Sequence, residues 1–115
     1  MGSGEFTEVT RTLIKTRAGQ RCEACGARIE GSGQIHHRQP RGMGGSRRQE
    51  TRSAANGVYV HPRCHAEIES RRKRSAALGF LVGVGRSTEE APIRLWDGWW
   101  LLLPDGSRQP TSPAP

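Results

Sequence analysis

Three cysteines and one histidine of this chain stand in two short pairs with the spacing of metal ligands. The first pair is Cys22-x-x-Cys25 and the second is His61-x-x-Cys64. Two such pairs, one at a turn and one at a helix start, are the usual source of the ligands of a tetrahedral structural zinc ion. The alternatives are three buried thiols beside an incidental histidine, or a Cys22–Cys25 disulfide, whose short loop is typical of redox enzymes. The pattern favours a structural zinc site.

A second group of side chains suited to chemistry lies in the same stretch. It comprises His36, His37, Asn56 and His65. Adjacent histidines on a strand point to opposite faces or splay apart, so one ring can hold a metal ion while its neighbour faces a substrate. His65 directly follows Cys64, so a zinc site that fixes Cys64 would also fix His65. Any one of these histidines could be an ordinary surface or core residue, but the set favours a catalytic centre.

The net charge of the chain is concentrated in this same stretch. The formal net charge is +7, from 18 basic and 11 acidic residues. Residues 38–74 hold ten of the basic and three of the acidic residues, whereas the remainder of the chain holds eight of each sign. Such a basic segment is typical of proteins that bind a polyanion, although a solvated charged face would have the same composition. A polyanion is therefore a candidate partner.

Length and composition limit the class of protein. A chain of 115 residues, 33% of them hydrophobic, suits one small domain stapled by a metal and excludes a large enzyme core. No apolar run reaches the roughly 18 residues of a membrane span, and no secretory signal is visible, so no membrane partner is expected. Three cysteines, an odd number, fit a disulfide framework badly. These features favour a reduced, cytoplasmic protein.

Local sequence signals predict the elements that would position these side chains. The predicted elements are helices over residues 8–18 and 62–78, short strands at 34–37, 58–60 and 80–82, and a hairpin over 93–103. Gly19 is the expected stop of the first helix and Pro62 the expected start of the second. An Asp97-Gly98 turn is expected at the tip of the hairpin. Together these elements predict an α+β fold.

Both ends of the chain are expected to lie outside the domain. Residues 1–6, MGSGEF, look like a cloning remnant. Residues 104–115 are rich in Pro, Ser and Gly and are predicted to be disordered. The predicted domain therefore spans residues 7–103.

Three tryptophans, Trp96, Trp99 and Trp100, lie in the predicted hairpin. They could pack on the small core, or they could form a platform on which nucleic-acid bases stack. Because the chain offers little other apolar bulk, core packing of at least one of them is the favoured interpretation.

Taken together, these motifs resemble the HNH endonuclease family. The shared features are Cys22-x-x-Cys25, His36-His37-Arg38-x-Pro40-Arg41-Gly42, Asn56, and Cys64-His65 followed by Ile68-Glu69. The resemblance is closest to small zinc-bearing HNH proteins encoded by bacteriophages of actinobacteria, and it covers about residues 17–82 and the hairpin. His61 departs from the pattern, because the family usually has a cysteine there. The resemblance implies a ββα-metal (His-Me finger) fold with a zinc knuckle, an N-terminal helix and a C-terminal hairpin.

The resemblance also implies a role for each residue of the second group. His36 and His65 would bind one catalytic divalent ion (Mg²⁺, Mn²⁺, Ni²⁺ or Zn²⁺), with Glu69 as a further ligand or an acceptor beside them. His37 would be the general base that deprotonates the attacking water. Asn56 would hold the loop after His37, although in some relatives this position binds the metal.

The function implied by the resemblance is metal-dependent hydrolysis of phosphodiester bonds in DNA, by nicking or by double-strand cleavage. Phosphate contacts would come from Arg38, Arg41, Arg47, Arg48, Arg52, Arg71 and Arg72. Phage-encoded relatives support DNA packaging, which suggests a terminase or portal protein as partner and the host cytoplasm as location; the oligomeric state is left open. The alternative is a zinc-stapled nucleic-acid-binding module without catalysis, which would leave the second group of residues unexplained.

Overall fold

Short strands and helices make up the fold, which the computed structural model describes over residues 6–40 and 52–113. In chain order the elements are helix α1 (Glu8–Ala18), strand β1 (Gln34–His37), a 3-10 turn (Ala54–Asn56), strand β2 (Gly57–Val60), helices α2 (Pro62–Ser70) and α3 (Arg72–Ala77), and strands β3 (Ile93–Leu95), β4 (Gly98–Leu102) and β5 (Arg108–Pro110). The strands form two antiparallel sheets, β1-β2 and β3-β4-β5. No helix in the described ranges is long and apolar enough to cross a membrane. The α+β prediction is confirmed.

Helix α1 has both of the end signals that a stable helix needs. Before it, the Thr7 Oγ1 accepts a hydrogen bond from the Thr10 backbone N–H at 3.1 Å, which satisfies one free amide of the first turn. After it, Gly19 adopts the left-handed conformation with a φ of 64°, and its N–H donates to carbonyls of the last turn. The predicted bounds, residues 8–18, are confirmed.

Strands β1 and β2 bring the histidine pair beside helix α2. The two strands are antiparallel, and His36 lies opposite Val58. After β2 a single residue, His61, precedes the start of α2 at Pro62. The strands predicted at 34–37 and 58–60 are confirmed, with β2 one residue longer at its start.

A buried ion pair ties the turn that carries Cys22 and Cys25 to α1 and β2. The Arg17 guanidinium donates two hydrogen bonds to the Glu23 carboxylate, at 2.8 and 2.9 Å, and both side chains are buried. Glu23 also accepts a hydrogen bond from the Tyr59 backbone N–H at 2.9 Å. Buried charges are tolerated when they are paired and hydrogen-bonded in this way. The cysteine turn is thereby held against β2.

The single helix predicted over residues 62–78 is wrong. Two helices occupy this stretch, because Arg71 leaves the helical conformation with a ψ of 65°. The Ser75 hydroxyl donates a hydrogen bond to the Ile68 carbonyl at 2.8 Å, which satisfies an acceptor in the last turns of α2. This bond joins α2 and α3 across the break.

The C-terminal hairpin is confirmed, but its turn lies one residue earlier than predicted. Leu95 pairs with Gly98, so the turn consists of Trp96 and Asp97 rather than Asp97 and Gly98. Gly98 instead begins β4 with a φ of 138°, a conformation that residues with a Cβ disfavour. This register places Trp96 at the tip of the hairpin.

The disorder predicted for residues 104–115 is wrong for the described part, which extends to residue 113. Arg108–Pro110 form strand β5, which pairs with β4. The Arg108 guanidinium lies 3.7 Å from the centroid of the Trp100 ring and forms an ion pair with Asp97 at 2.7 Å. These contacts fix the tail on the hairpin, and its composition gives no sign of them.

The strand predicted at residues 80–82 is also wrong. Phe80 and Val82 are buried, but the segment belongs to neither sheet of the described chain. Instead the Val82 N–H donates to the Arg38 carbonyl at 2.9 Å. The segment therefore lies beside the end of β1, next to the histidine pair.

The apolar core joins α1, β2 and the C-terminal sheet. Its fully buried members include Ile14, Val58, Val60, Ile93, Leu95 and Leu102. The core packing expected of the tryptophans is confirmed for Trp100, which is half-buried against this core. Trp96, by contrast, is 46% exposed.

Candidate metal centres

Three thiols converge where the cysteine turn meets the start of α2. The Sγ atoms of Cys22, Cys25 and Cys64 lie within 4.8 Å of one another, and we call this group the thiol centre. In a tetrahedral site with Zn–S distances of about 2.3 Å, the sulfur atoms lie about 3.8 Å apart. The three cysteines therefore have a spacing that a zinc ion can bridge.

The surroundings of the thiol centre favour thiolate at some positions and oppose it at others. The backbone N–H groups of Cys25 and His61 each donate to Cys22 Sγ at 3.5 Å. Burial by itself raises the pKa of the Cys25 thiol, but hydrogen bonds from the backbone and from the neighbouring thiols, with the charge of Arg63, bring it below its ordinary value. Burial and the two neighbouring sulfurs raise the pKa of Cys64 to about 12. A cation among the sulfurs would remove their mutual repulsion.

The structure does not bring the His61 imidazole into the thiol centre, where the sequence predicts a fourth ligand. The described group with ligand atoms within 4.8 Å contains the three thiols and not His61. Its Nε2 is nevertheless buried and has no hydrogen-bond partner among the described residues. A buried ring nitrogen costs free energy unless a partner such as a metal ion satisfies it. Three thiols with a nearby imidazole are a donor set that fits zinc.

Two imidazoles and one carboxylate converge on a different face of α2. The ligand atoms of His36, His65 and Glu69 lie within 4.8 Å of one another, and we call this group the histidine centre. The Glu69 Oε2 is 3.6 Å from His36 Nδ1 and 3.7 Å from His65 Nε2. His65 and Glu69 stand one helical turn apart on α2, and His36 reaches them from β1. The structure thus brings together the three residues predicted to surround a catalytic ion.

In each ring, the nitrogen that points away from the histidine centre forms a hydrogen bond. That bond determines which nitrogen keeps a lone pair for the centre. His36 Nε2 lies 2.7 Å from the Phe80 carbonyl, which can only accept, so Nε2 carries the proton and Nδ1 keeps its lone pair. His65 Nδ1 likewise donates to the Gln34 side-chain oxygen at 2.7 Å, which leaves the Nε2 lone pair for the centre. Metal-ligating histidines are oriented by hydrogen bonds of this kind.

Burial keeps the His36 ring neutral. The side chain is 1% exposed, and burial lowers the pKa of the imidazole to about 4, against the opposing effect of the Phe80 hydrogen bond. Its Nδ1 is buried and has no hydrogen-bond partner among the described residues. A neutral ring with a free lone pair is the form that binds a metal ion. The two imidazoles and the carboxylate therefore fit a divalent cation.

The histidine centre lines a cavity of about 420 Å³, which we call the histidine cavity. His37 and Arg72 line it together with the three residues of the centre. The His37 ring stacks on Phe6, with ring centroids 4.4 Å apart and planes inclined by 17°. The residue predicted to be the general base thus lines the same cavity as the predicted ligands.

Phe6 belongs to the six residues that the sequence suggests are a cloning remnant. In the structure its ring packs against the core as well as on His37. It also lies close to Gly57, because a Cβ at position 57 would be 2.9 Å from the Phe6 Cζ. Phe6 is therefore part of the fold, and no local signal in the sequence links it to His37.

Asn56 holds the chain directly after His37. Its Oδ1 accepts a hydrogen bond from the Gln39 N–H at 2.7 Å, and its Nδ2 donates to the Gln39 carbonyl at 3.1 Å. The Asn56 backbone carbonyl accepts from the Arg38 N–H at 2.8 Å. Of the two roles open for this position, these contacts fit the one that fixes the loop.

Arg38 is predicted to contact DNA, and this prediction is wrong. Its side chain is fully buried, and the guanidinium donates at 2.8–2.9 Å to the backbone carbonyls of Ala55, Gly79, Thr88 and Ala91. Burial lowers the pKa of the guanidinium to about 9, so Arg38 is still charged at pH 7. A buried charge needs such hydrogen bonds. Arg38 joins the end of β1 to residues 79–91.

The other arginines predicted to contact DNA lie in different places. Arg72 lines the histidine cavity and pairs with Glu69 at 3.1 Å. Arg71 is exposed and lines another cavity beside the thiol centre, and Arg52 is exposed. The remaining three lie outside the described residues: Arg41, Arg47 and Arg48.

Sequence reasoning missed two groups that orient the histidine centre. Gln34 stands two residues before His36 on β1, so strand alternation places both on one face and could have indicated this partner. Phe80 acts through its backbone carbonyl, which no residue pattern reveals.

The chemistry open to each centre follows from its donors. The thiol centre can hold a structural zinc ion, and the histidine centre can hold a divalent ion in a cavity that a third histidine also lines. Comparisons of the chain with protein-family models, with curated proteins and with solved structures find no match.

Proposed function

We propose that this chain is a metal-dependent endonuclease that hydrolyses phosphodiester bonds of DNA. The observation that carries the proposal is the histidine centre, where His36 and His65 each direct a ring lone pair toward the Glu69 carboxylate. His37 lines the same cavity. A cation site beside a candidate general base is the arrangement that metal-assisted hydrolysis requires.

Each side chain of the site has a separate task in this proposal. His36, His65 and Glu69 would hold a divalent cation, which would supply positive charge to the phosphate oxygens and to the leaving oxygen. His37 accepts the proton of the attacking water, and the stacked Phe6 restricts the orientations of its ring.

The proposal includes a fold assignment. We assign β1, β2 and α2 to a ββα-metal arrangement, because β1 and α2 carry the residues of the histidine centre and β2 pairs with β1. Asn56, just before β2, fixes the backbone after His37. A zinc ion at the thiol centre would hold the start of α2 against the cysteine turn. Since Cys64 immediately precedes His65, the same ion would fix the position of one ligand of the histidine centre.

Phosphate binding at the histidine cavity has a candidate in Arg72. Its guanidinium lies beside Glu69 on the cavity wall, so a phosphate next to the cation would be within its reach. A contact of this kind positions the DNA backbone without reading its sequence.

A second candidate function is nucleic-acid binding without catalysis. The observation in its favour is the ion pair between Glu69 and Arg72 at 3.1 Å, which gives the carboxylate a structural partner. In that case the thiol centre and the exposed arginines would be sufficient for function, and the histidines would form an ordinary polar cluster.

Relaxation of supercoiled plasmid DNA tests the proposal. Wild type and His37→Ala are compared with added Mg²⁺, Mn²⁺ or Ni²⁺, and with EDTA. We expect metal-dependent cleavage by the wild type and a rate at least about 100-fold lower for His37→Ala, which loses the general base. Val9→Ala, at an exposed position of α1, is the control and should cleave at the wild-type rate.

Two results would contradict the proposal in different ways. Cleavage by His37→Ala at the wild-type rate would exclude His37 as the base. Absence of cleavage by the wild type with every ion, while DNA binding persists, would favour the binding module.

A further inference from the structure

A second cavity lies on the face of α2 that carries Cys64, away from the histidine centre. Its volume is about 400 Å³, and it is bounded by the thiol centre, α3 and the C-terminal hairpin. Three arginines, Arg71, Arg74 and Arg94, line it together with one acidic residue, Glu67. Trp96 lines it from the tip of the hairpin. We call this space the arginine cavity.

The three arginines of this cavity are available to an external anion. Each is exposed, and none of their side chains forms a hydrogen bond or an ion pair with another described residue. They come from the junction of α2 and α3, from α3 and from β3, so their convergence is a property of the tertiary fold rather than of one helix face. Guanidinium groups that converge without internal partners are suited to bind phosphate.

Trp96 offers an aromatic surface beside these arginines. The side chain is 46% exposed, yet its ring is fixed against Gly26, where a Cβ would lie only 2.8 Å from the ring. The Arg21 guanidinium lies 5.5 Å from the ring centroid, and the Trp96 backbone N–H donates to the Glu23 carbonyl at 3.0 Å. A rigid, half-exposed tryptophan next to phosphate-binding side chains is typical of a platform for base stacking.

We propose that the arginine cavity binds an unpaired nucleotide of a single-stranded segment of nucleic acid, with its base on Trp96 and its phosphate on the arginines. The ligand is single-stranded, because a base inside a duplex is stacked between its neighbours and presents no free face. The charge balance of the cavity, three cations against one anion, favours phosphate. An acidic peptide has the same charge, but its side chains do not stack on tryptophan as a base does.

The inference deepens the proposed function and rests on it for the identity of the polyanion. A strand held in the histidine cavity would continue around α2 into the arginine cavity. A helix with its side chains is about 10–12 Å across. At about 3.4 Å per nucleotide, a strand of about four nucleotides spans that distance. We therefore expect one strand to contact both cavities.

Binding of single-stranded DNA in the absence of added divalent ions tests this inference. The probe is a fluorescein-labelled oligothymidylate of about 12 nucleotides, a length within the site sizes of single-strand binders. The duplex of the same length is measured beside it, both by fluorescence anisotropy. Zinc content and thermal unfolding verify that each variant is folded.

The tryptophan variants test the stacking contact. We expect Trp96→Ala to weaken binding of the single strand about tenfold, the loss of one stacked base, and to change binding of the duplex less than about twofold. Trp96→Phe should recover most of the loss, because it keeps an aromatic face.

The arginine variants test the phosphate contact. Arg94→Gln should weaken binding of the single strand about fivefold. Arg11→Gln removes the same charge from an exposed position of α1 and is the matched control, with a change of less than about twofold.

Three results would overturn the inference. One is an equal loss of affinity for single strand and duplex in Trp96→Ala, and another is an effect of Arg11→Gln as large as that of Arg94→Gln. The third is competition by polyglutamate together with oligothymidylate binding that does not depend on Trp96, which would assign the cavity to an acidic peptide.

Plasmid cleavage measured in parallel separates this inference from the proposed function. Binding that depends on Trp96, without cleavage by the wild type, would support the arginine cavity and refute the nuclease. Cleavage by the wild type, with oligothymidylate binding that does not depend on Trp96, would refute the arginine cavity and support the nuclease.

Discussion

Helix α2 carries two centres of different character on two of its faces. Cys64 belongs to the thiol centre, and His65, the next residue, belongs to the histidine centre. At the thiol centre the ligand atoms are neighbours that repel one another when charged, and burial and the other sulfurs raise the pKa of Cys64. At the histidine centre, hydrogen bonds to the Phe80 carbonyl and to the Gln34 side chain orient the His36 and His65 rings.

Under the proposed function, this difference indicates that the thiol centre supports the fold and the histidine centre supports the chemistry. The thiol centre joins the cysteine turn to α2, so a cation there contributes directly to the free energy of folding. The histidine centre is oriented by hydrogen bonds of the protein itself, so its geometry does not require the ion. We therefore expect metal loss to unfold the chain at the first centre and to inactivate it at the second.

The largest expected effect is that of Cys64→Ala. A structural zinc ion contributes roughly 10–16 kcal/mol to the folding of a small domain. A domain of this size is stable by only about 5–15 kcal/mol. We expect the variant to lose its cooperative unfolding transition in circular dichroism and its zinc in metal analysis. A variant that folds without zinc would contradict the structural role of the thiol centre.

Replacement of Arg38 by methionine should have the next largest effect. The change leaves four buried carbonyls without their charged donor, and we expect a loss of about 4 kcal/mol in the free energy of unfolding. Urea titration measures this loss. Arg11→Met, at an exposed site of α1, is the control and should change stability by less than about 0.5 kcal/mol. A loss for Arg38→Met as small as that of the control would show that the four hydrogen bonds are dispensable.

His65→Ala separates the two centres. Under the proposed function, cleavage should fall at least about 100-fold, because one proposed ligand of the catalytic ion is lost. The free energy of unfolding should change by less than about 1 kcal/mol, and the zinc of the thiol centre should remain. Plasmid cleavage, urea titration and metal analysis measure these three quantities. Loss of zinc in this variant would mean that the centres are not independent.

Phe6→Ala should have a smaller effect on catalysis. Without the stacked ring, His37 samples more orientations, and we expect kcat to fall about tenfold with KM nearly unchanged. Phe6→Leu keeps most of the apolar volume and loses the stacking, so it separates ring orientation from core packing. If Phe6→Leu cleaves at the wild-type rate while Phe6→Ala does not, Phe6 contributes only packing.

The smallest expected effect concerns Asp97, which is remote from the histidine centre. The hydrogen bond from Arg108 lowers the pKa of the Asp97 carboxyl below its ordinary value of 3.8. A pKa that folding lowers stabilises the folded state above the ordinary pKa of 3.8. This contribution is lost as the pH falls from the ordinary pKa through the lowered one. Asp97→Asn should therefore cost about 0.5 kcal/mol at pH 7 and less than that near pH 2. Thermal unfolding at both pH values measures the difference, and an equal cost at both would contradict it.

The features that depend on neighbouring residues are predictable from the sequence. Thr7 and Gly19 set the bounds of helix α1, because each caps backbone groups within one turn of a helix end. The three cysteines of the thiol centre follow from the spacing of two pairs, although His61 lies outside the centre, and one helical turn places Glu69 beside His65. These relations involve few residues, so a pattern is sufficient to reveal them. His36 as the partner of His65 and Glu69 is implied only by the family resemblance.

The features that depend on distant residues are not predictable in this way. Arg38 binds carbonyls as far as residue 91, and Phe6 stacks on His37. Strand β5 depends on the contact of Arg108 with the hairpin. A run of arginines predicts a basic surface, but only the tertiary fold decides which of them faces solvent and which one is enclosed.

The enclosed guanidinium of Arg38 has a consequence for the salt dependence of the DNA binding that we propose. Affinity for DNA falls as the salt concentration rises, because cationic groups at the interface displace counterions from phosphates. The slope of log affinity against log salt concentration is proportional to the number of those groups. Arg38 is charged at neutral pH but has no contact with solvent, so it displaces none. Arg17 is likewise buried against Glu23. A salt titration will therefore give a shallower slope than the arginine content of the sequence implies, and it will measure only the cations that face the phosphates.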